Sequence, residues 1–194
     1  LVTELITSTM AGYAFACLKF RGKNILFLFY LISMMIPFHV MLVPTFELLK
    51  NMNLLNSLWS LIWPVLTLPF GVFLMRQFFG DLPIELAESA KIDGCTPWGI
   101  FTKIYLPLSK PSVATLSIFI FIATWNDFLK PLIYLSDSKK NTLTLGIYLM
   151  QGTYSTNWPV LMATCTLSLL PALILFLCMQ DLFVEGIAMS GIKG

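Results

Sequence analysis

The sequence predicts an all-α protein, a polytopic bundle of transmembrane helices. Its 194 residues are 57% hydrophobic and 11% charged, whereas soluble domains are near 45–50% apolar and about 25% charged. The mean hydropathy is +0.82. Three long stretches contain no Asp, Glu, Lys or Arg: Asn24–Phe46, Asn51–Met75 and Asn141–Gln180. Because a charge at mid-membrane costs roughly 2.5–3.5 kcal/mol on insertion scales, such stretches favour helices that cross a bilayer.

Five membrane spans are predicted, since a bilayer core of about 30 Å requires roughly 20 apolar residues at about 1.5 Å per residue. They cover, approximately, residues 1–18, 25–46, 57–79, 112–133 and 158–180. The first contains Glu4 near its start, and the fourth contains Asp127 and Lys130 near its end. The polar segment Gln151–Asn157 divides the last charge-free stretch, so only one span follows, from Trp158.

Lysine and arginine are distributed unequally between the two sides of these spans. One side has eight: Lys19, Arg21, Lys23, Arg76, Lys91, Lys103, Lys110 and Lys193. The other side has four: Lys50, Lys130, Lys139 and Lys140. Cytoplasmic loops carry the excess of Lys and Arg, so the first side is predicted to face the cytoplasm. Residues 81–110 and the C-terminus are then cytoplasmic, and residues 49–56 and 134–157 lie outside.

Isolated cysteine, histidine and proline residues indicate no chemical site by themselves. Reduced, apolar cysteines are expected because there is no C-x-x-C spacing at Cys17, Cys95, Cys165 and Cys178. A proton relay is one interpretation of the intramembrane His39, but no acid shares its stretch, which favours neutral packing. Prolines inside the spans permit bends, but bends also occur in spans that do not move during function. These prolines are Pro37, Pro44, Pro64, Pro69 and Pro171. A formal net charge of +2 excludes a nucleic-acid partner, because it creates no long-range basic field.

The cytoplasmic segment after the third span is too charged to cross a membrane and predicts two short helices. Asp81 is expected to cap the first helix, with Pro83 in its first turn. A helical wheel divides that helix into two faces. The charged side has Glu85, Glu88, Ser89 and Ile92, and the small apolar side has Leu86, Ala87 and Ala90.

Glycine and proline mark where these two helices end and begin. Asp93-Gly94 is predicted to end the first helix, because Gly adopts the left-handed conformation of a helix stop. Thr96 and Pro97 predict the start of the second, which is expected to run to about Tyr105 and to stop before Pro107. Such a segment is either a lever that a soluble partner grips or an ordinary solvated connector. These residues alone leave both interpretations open.

A longer pattern in this segment resembles the cytoplasmic motif of ABC importer permeases, E-A-A-x-x-D-G-x(9)-I-x-L-P. Eight positions stand at that spacing: Glu88, Ser89, Ala90, Asp93, Gly94, Ile104, Leu106 and Pro107. Seven of the eight match, and the exception is Ser89 in place of the first Ala. The resemblance favours the lever and implies that the segment, with Glu85, seats in a cleft of a separate ATPase.

Other segments resemble the carbohydrate-importer branch, in particular the smaller permease of maltose transporters. These are Ala11–Ala16 with its following basic turn, Thr124–Phe128 and Val184–Gly194. The resemblance implies one permease domain over residues 1–194, with a cytoplasmic coupling loop at residues 80–110. It also implies the type I importer permease fold, with five of an expected six spans visible and the first span missing.

The same resemblance implies the partners and the location. A second permease subunit, two cytoplasmic ABC ATPase subunits and an extracellular or periplasmic sugar-binding protein are expected, together with membrane lipid. Such subunits are multi-pass proteins of the bacterial plasma (inner) membrane. ATP is used by the partner subunits and no cofactor is expected in this chain, which has no G-x-x-x-x-G-K-[ST] segment.

Two groups of residues are candidates for substrate and binding-protein contact. Aromatic and amide groups suited to a sugar are Trp125, Asn126, Tyr154 and Trp158. Membrane-interface belts are the commoner role for such Trp and Tyr residues. The loop that includes Gln151, Gly152, Thr153 and Tyr154 is expected, from the family resemblance, to reach into the binding protein. The identity of the sugar does not follow from these residues.

Two other classes of function use the same features. An integral membrane enzyme could use an acidic cluster at the cytoplasmic face: Asp81, Glu85, Glu88 and Asp93. These acids recur at helical spacing, which does not make them converge, and no histidine joins them. A passive channel could use the same spans, but no repeated filter-like loop is present in the sequence.

Overall fold

The computed structural model of this chain describes residues 1–151 and 156–191. Every regular element in these ranges is a helix, which confirms the all-α prediction. In chain order the helices are α1 Val2–Cys17, α2 Lys23–Met34, α3 Phe38–Asn51, α4 Trp59–Ile62 with a 3-10 turn Trp63–Val65, α5 Pro69–Asp81, α6 Glu85–Ile92, α7 Pro97–Ile100 with a π-helical turn Phe101–Tyr105, α8 Leu106–Leu108, α9 Lys110–Trp125, α10 Leu129–Tyr134, a 3-10 turn Ser138–Lys140, α11 Leu143–Leu149 and α12 Trp158–Gly191.

Several predicted membrane spans are broken into two helices in the structure. One helix, Trp158–Leu182, is long and apolar enough to cross a membrane, and up to four crossings are counted when each of three broken pairs is one span. The pairs are α2 with α3, α4 with α5, and α7–α8 with α9. Breaks fall just before Pro37 and Pro69, because the residue before a proline avoids helical backbone angles. The fourth predicted span ends early, at Trp125, and α1 has only 16 residues.

The described chain forms two compact units. The first contains residues 1–36 and 66–117 and the end of α12 from Met179, and the second contains residues 37–65 and 118–178. In the first unit, α1 lies against α5 at two glycines. A Cβ on Gly12 would lie 2.6 Å from the Cβ of Met75, and one on Gly71 would lie 2.5 Å from the Oγ of Ser8. Small residues let membrane helices approach this closely.

The turn between α1 and α2 is held by two cations. The Lys23 ammonium donates to the carbonyls of Ala16 and Leu18, at 2.9 and 3.1 Å, and so satisfies the exposed end of α1. The Arg76 guanidinium lies 3.8 Å from the ring centre of Phe27, a cation–π contact. Both basic groups therefore fix the first unit locally, in addition to their place in the charge asymmetry.

In the second unit, a polar junction centred on Asn56 joins the chain before α4 to the segment after α10. The Asn56 Oδ1 accepts the N–H groups of Ser136 and Asp137 at 3.2 and 3.0 Å. Its backbone N–H donates to the Tyr134 carbonyl at 2.8 Å, and its carbonyl accepts from the Lys140 ammonium at 2.6 Å. Asn56 has a φ of 54°, a left-handed conformation that Asn tolerates better than most residues.

Candidate functional site

The coupling loop, residues 80–110, contains the helix–corner–helix arrangement that its sequence predicts. Helix α6 ends at Ile92, and Gly94 has a φ of +81°. The Cys95 N–H then donates to the Ala90 carbonyl at 2.9 Å, which closes the end of the helix. Thr96 caps α7, since its Oγ1 accepts the Gly99 N–H at 3.2 Å. The predicted corner and second helix start are confirmed.

The two faces of α6 have opposite environments except at Leu86, which the helical wheel assigns to the apolar side but which is exposed. Ala87 and Ala90 are buried, at 8% and 5% exposure, whereas Ile92 is 86% exposed. The other members of the charged face are exposed as well: Glu85, Glu88 and Ser89. The Ser89 hydroxyl donates to the Glu85 carbonyl at 2.8 Å, so the one departure from the family motif adds no unsatisfied polar group. The exposed face is therefore available to a partner.

Two boundaries of the coupling loop differ from the prediction. Asp81 is the last residue of α5, so it does not cap the first loop helix, which follows Ile84. The second helix does not stop before Pro107 but continues to Leu108. A proline ring normally clashes with the carbonyl four residues earlier. Here that carbonyl, of Lys103, belongs to the wider π-helical turn, a common site of helix deformation.

The remaining motif positions lie on this second helix and around the corner. Ile104 and Leu106 are half-buried, and Pro107, Asp93 and Gly94 are exposed. The structure thus places all eight motif positions on one continuous helix–corner–helix element. Their buried members attach the element to the rest of the chain, and their exposed members face outward.

An aromatic cluster that no motif in the sequence indicates connects the coupling loop to α1 and α5. The Tyr13 ring centre lies 5.0 Å from Phe101, 5.3 Å from Tyr105 and 6.1 Å from Phe79. All four side chains are buried. The Tyr13 hydroxyl also donates to the Pro97 carbonyl at 3.0 Å. Buried aromatic pairs of this geometry stabilise beyond their area, so a displacement of the second loop helix is resisted by both other helices.

The sequence indicates only two of the four rings in this cluster. Phe101 and Tyr105 are four residues apart, and that spacing places two rings on one face of a helix. Tyr13 and Phe79 lie on other helices, far away along the chain. Which rings meet is therefore decided by the packing of α1 on α5.

The candidate substrate residues have varied surroundings in the second unit. The Trp125 indole N–H donates to the Ser168 carbonyl at 3.0 Å, and its ring stacks on Phe121. Asn126 is exposed, and its amide donates to the Ile122 carbonyl. Trp158 is 63% exposed, and Tyr154 lies outside the described residues. Trp125 therefore connects α9 to α12 through the donor that a sugar would otherwise use.

The candidate binding-protein loop is described only at its start. Gln151 is exposed, and its backbone N–H donates to the Tyr148 carbonyl. Gly152, Thr153 and Tyr154 lie outside the described residues. Their contact with a binding protein stays a prediction.

Nothing in the described ranges supports the membrane-enzyme alternative. No group of three or more His, Cys, Asp or Glu side chains is placed to hold a metal ion within residues 1–151 and 156–182. Glu85, Glu88 and Asp93 are exposed on the coupling loop. Asp81 ends a different helix, α5.

Apolar helices that are able to cross a membrane, together with an exposed helix–corner–helix loop, are features of integral membrane transport subunits. The chain belongs to the family described as binding-protein-dependent transport system inner membrane component, whose sequence pattern matches residues 8–188. It is a translocation permease subunit of the inner membrane.

Two individual relatives show which transport systems the chain is similar to. The chain is 40% identical to the arabinooligosaccharides transport system permease protein AraQ of Halalkalibacterium halodurans, over its whole length and 69% of that protein. It is 37% identical to the sn-glycerol-3-phosphate transport system permease protein UgpE of Salmonella typhi, over 97% of this chain and 68% of that protein.

Solved structures give the same fold. A crystal structure of a bacterial ABC transporter involved in the import of the acidic polysaccharide alginate matches with a TM-score of 0.85. The match covers 94% of this chain and 70% of that chain, at 23% sequence identity. This likeness concerns the fold and confirms the importer-permease bundle expected from the sequence.

Proposed function

We propose that this permease subunit forms the translocation path of an ATP-driven importer for a sugar or oligosaccharide. The proposal is supported by the relatives, whose names refer to arabinooligosaccharides and alginate. A further relative is named for sn-glycerol-3-phosphate, a phosphorylated polyol that shares hydroxyl groups with sugars. The partners are a second permease subunit, two cytoplasmic ABC ATPase subunits and an extracellular or periplasmic binding protein.

The coupling loop carries this proposal. Its exposed face, which includes Glu88 and Ser89, seats in the ATPase, while Ala87 and Ala90 pack inward. The buried rings of Tyr13 and its neighbours attach the second loop helix to α1 and α5. Closure of the ATPase dimer therefore moves membrane helices together with the loop.

Orientation and chemistry complete the proposal. The side that carries eight of the 12 Lys and Arg residues faces the cytoplasm, and the C-terminus lies there as well. ATP is hydrolysed by the partner subunits, and this chain binds no cofactor. Trp125, Asn126, Tyr154 and Trp158 lie along the substrate path, where stacking and amide groups suit a sugar.

Reconstituted vesicles test the proposal directly. The assembled complex should accumulate an arabinooligosaccharide only when ATP is inside and the binding protein is outside. A hydrolysis-deficient ATPase partner is the matched control and should give no accumulation. Equilibration without ATP would instead indicate a channel, and metal-dependent turnover without ATP would indicate an enzyme.

The binding-protein loop has its own test. Replacing Gln151–Tyr154 with a Gly-Ser segment of equal length should raise the concentration of binding protein needed for half-maximal uptake. The amount of assembled complex should not change, because the replaced segment is short and Gln151 is exposed. Unchanged uptake at every concentration of binding protein would contradict the loop's role.

A further inference from the structure

A pocket of about 380 Å³ lies between the coupling loop and the turn that joins α1 to α2. Its polar rim includes the side chains of Lys19, Lys23 and Lys91 and one carboxylate, Glu88. Its inner wall is apolar, with Leu82 and Ile100 among the lining residues. Three ammonium groups against one carboxylate make the pocket cationic.

These three lysines have donors to offer to a ligand. An ammonium group has three N–H donors, and that of Lys23 uses two on the carbonyls at the end of α1. Lys19 and Lys91 are exposed. The described residues thus place three cations and one carboxylate, Glu88, around the pocket.

We propose that this pocket binds a phosphate-bearing anion that bridges the α1–α2 turn and helix α6. Lys19 and Lys23 contact the phosphate from one side, and Lys91 contacts it from the other. The apolar wall accommodates the glycerol or ring carbon atoms next to the phosphate. Such a ligand fastens the coupling loop to the membrane-proximal turn through a second connection, separate from the buried aromatic cluster.

Two sources supply this chemistry. The position at the end of α1, on the side where the proposed orientation places the cytoplasmic surface, favours the headgroup of an anionic phospholipid, because basic pockets of that kind bind such headgroups. A soluble phosphate is the other source. The choice between a lipid headgroup and a soluble phosphate rests on the orientation given under the proposed function. The arrangement of the three lysines does not depend on that orientation.

Lipid retention by the purified, assembled transporter tests the site without any transport measurement. The complex is exchanged into vesicles of phosphatidylcholine with or without phosphatidylglycerol, extracted, and examined by native mass spectrometry. The wild-type complex should retain phosphatidylglycerol in preference to phosphatidylcholine. Lys19→Gln should lower that retention about fivefold, since each lysine near a membrane surface contributes about a factor of five to anionic-lipid binding.

Further variants separate this site from general surface charge. Lys19→Gln combined with Lys91→Gln should lower retention more than the single change. Lys103→Gln, an exposed lysine of the same loop outside the pocket, should have no effect on retention. Glu88→Gln should raise retention in complexes that assemble to the wild-type amount, because it removes the only carboxylate that the described residues place on the rim. Assembly is checked for this variant because Glu88 also belongs to the face proposed to seat in the ATPase. Lys23 is left unchanged, because its substitution would also release the end of α1.

The outcomes decide both the site and its source. Inorganic phosphate that binds the lipid-free complex, and is lost in Lys19→Gln, would support the site with a soluble ligand. Equal retention by wild type, Lys19→Gln and Lys103→Gln, with no lysine-dependent phosphate binding, would overturn the proposal. If the double variant does not assemble, the comparison of Lys19→Gln with Lys103→Gln gives the result. A complex that fails in sugar uptake but passes this test would contradict the proposed substrate and leave the site intact.

Discussion

In the coupling loop, four buried rings from three parts of the chain hold the second helix, whereas at the Asn56 junction a single polar residue holds two segments. The rings of Tyr13, Phe79, Phe101 and Tyr105 lie 5.0–6.5 Å apart. The junction consists of hydrogen bonds of 2.6–3.2 Å. Aromatic packing is spread over many atoms of four side chains, whereas the junction depends on the side chain and backbone of one residue.

The strongest test of the coupling loop is the corner itself. Gly94→Val should abolish sugar-dependent ATP hydrolysis and uptake, because a Cβ in the left-handed region costs about 1–2 kcal/mol and redirects the second helix. Apart from the neighbouring residues Asp93 and Cys95, no heavy atom of the described chain lies within 4 Å of a Cβ built at Gly94, so the effect comes from backbone conformation. Activity and membrane insertion should be measured on the same preparation.

Gly94→Asn is the matched control, because Asn tolerates the left-handed conformation better than other residues with a Cβ. It should retain a substantial part of the activity that Gly94→Val loses. Wild-type transport by Gly94→Val would show that the corner does not set the position of the second helix.

The coupling loop was largely predictable because its determinants are local. Gly94, Thr96 and Pro97 each act on the backbone within four residues, and the alternation of Ala87 and Ala90 with charged residues gives the buried face. The error at Pro107 has a physical cause: a proline ends an ordinary helix, but the π-helical turn before it was not indicated by any residue pattern.

The Asn56 junction and the aromatic cluster were not predictable, because their partners are distant in the chain. Asn56 contacts backbone groups about 80 residues later, and its φ of 54° has no signature as clear as that of a glycine. In the same way, Tyr13 meets Phe101 only because α1 lies on α5. The breaks at Pro37 and Pro69 are predictable in part, since a proline inside a span permits a bend.

The aromatic cluster predicts a second, somewhat smaller effect. Tyr13→Ala should uncouple ATP hydrolysis from uptake, because truncating a buried aromatic ring costs about 3–5 kcal/mol and frees the second loop helix from α1. Tyr13→Phe keeps the ring and removes only the hydrogen bond to Pro97, worth about 1 kcal/mol. The ratio of sugar transported to ATP hydrolysed should fall sharply in the first variant and little in the second. An equal fall in both variants would assign the coupling to the hydrogen bond, and a wild-type ratio in both would contradict the role of the cluster.

The Asn56 junction predicts a smaller effect, which three substitutions divide into its causes. Asn56→Ala should destabilise the complex by roughly 2 kcal/mol, because it strains the left-handed backbone and leaves two N–H groups without their acceptor. Asn56→Gly relieves the backbone strain but still lacks the side-chain acceptor. Asn56→Asp keeps a side-chain oxygen that can accept the two N–H groups. Thermal inactivation and protease cleavage between residues 134 and 140 should rank stability as Asp above Gly above Ala. If Gly and Ala were equal, backbone strain would have no part in the junction.

The smallest expected effect concerns the one departure from the family motif. Ser89→Ala should change sugar-dependent ATP hydrolysis by less than the equivalent of about 0.5 kcal/mol, the usual range for surface substitutions. The Ser89 hydroxyl bonds the Glu85 carbonyl within its own helix, so its removal leaves that carbonyl in its ordinary helical bond. Ser89→Leu is the contrasting variant, because a large side chain on the exposed face keeps the ATPase from close approach. Loss of activity in Ser89→Ala would show that the hydroxyl contacts the ATPase, and the exposed face would then depend on one polar atom, as the Asn56 junction does.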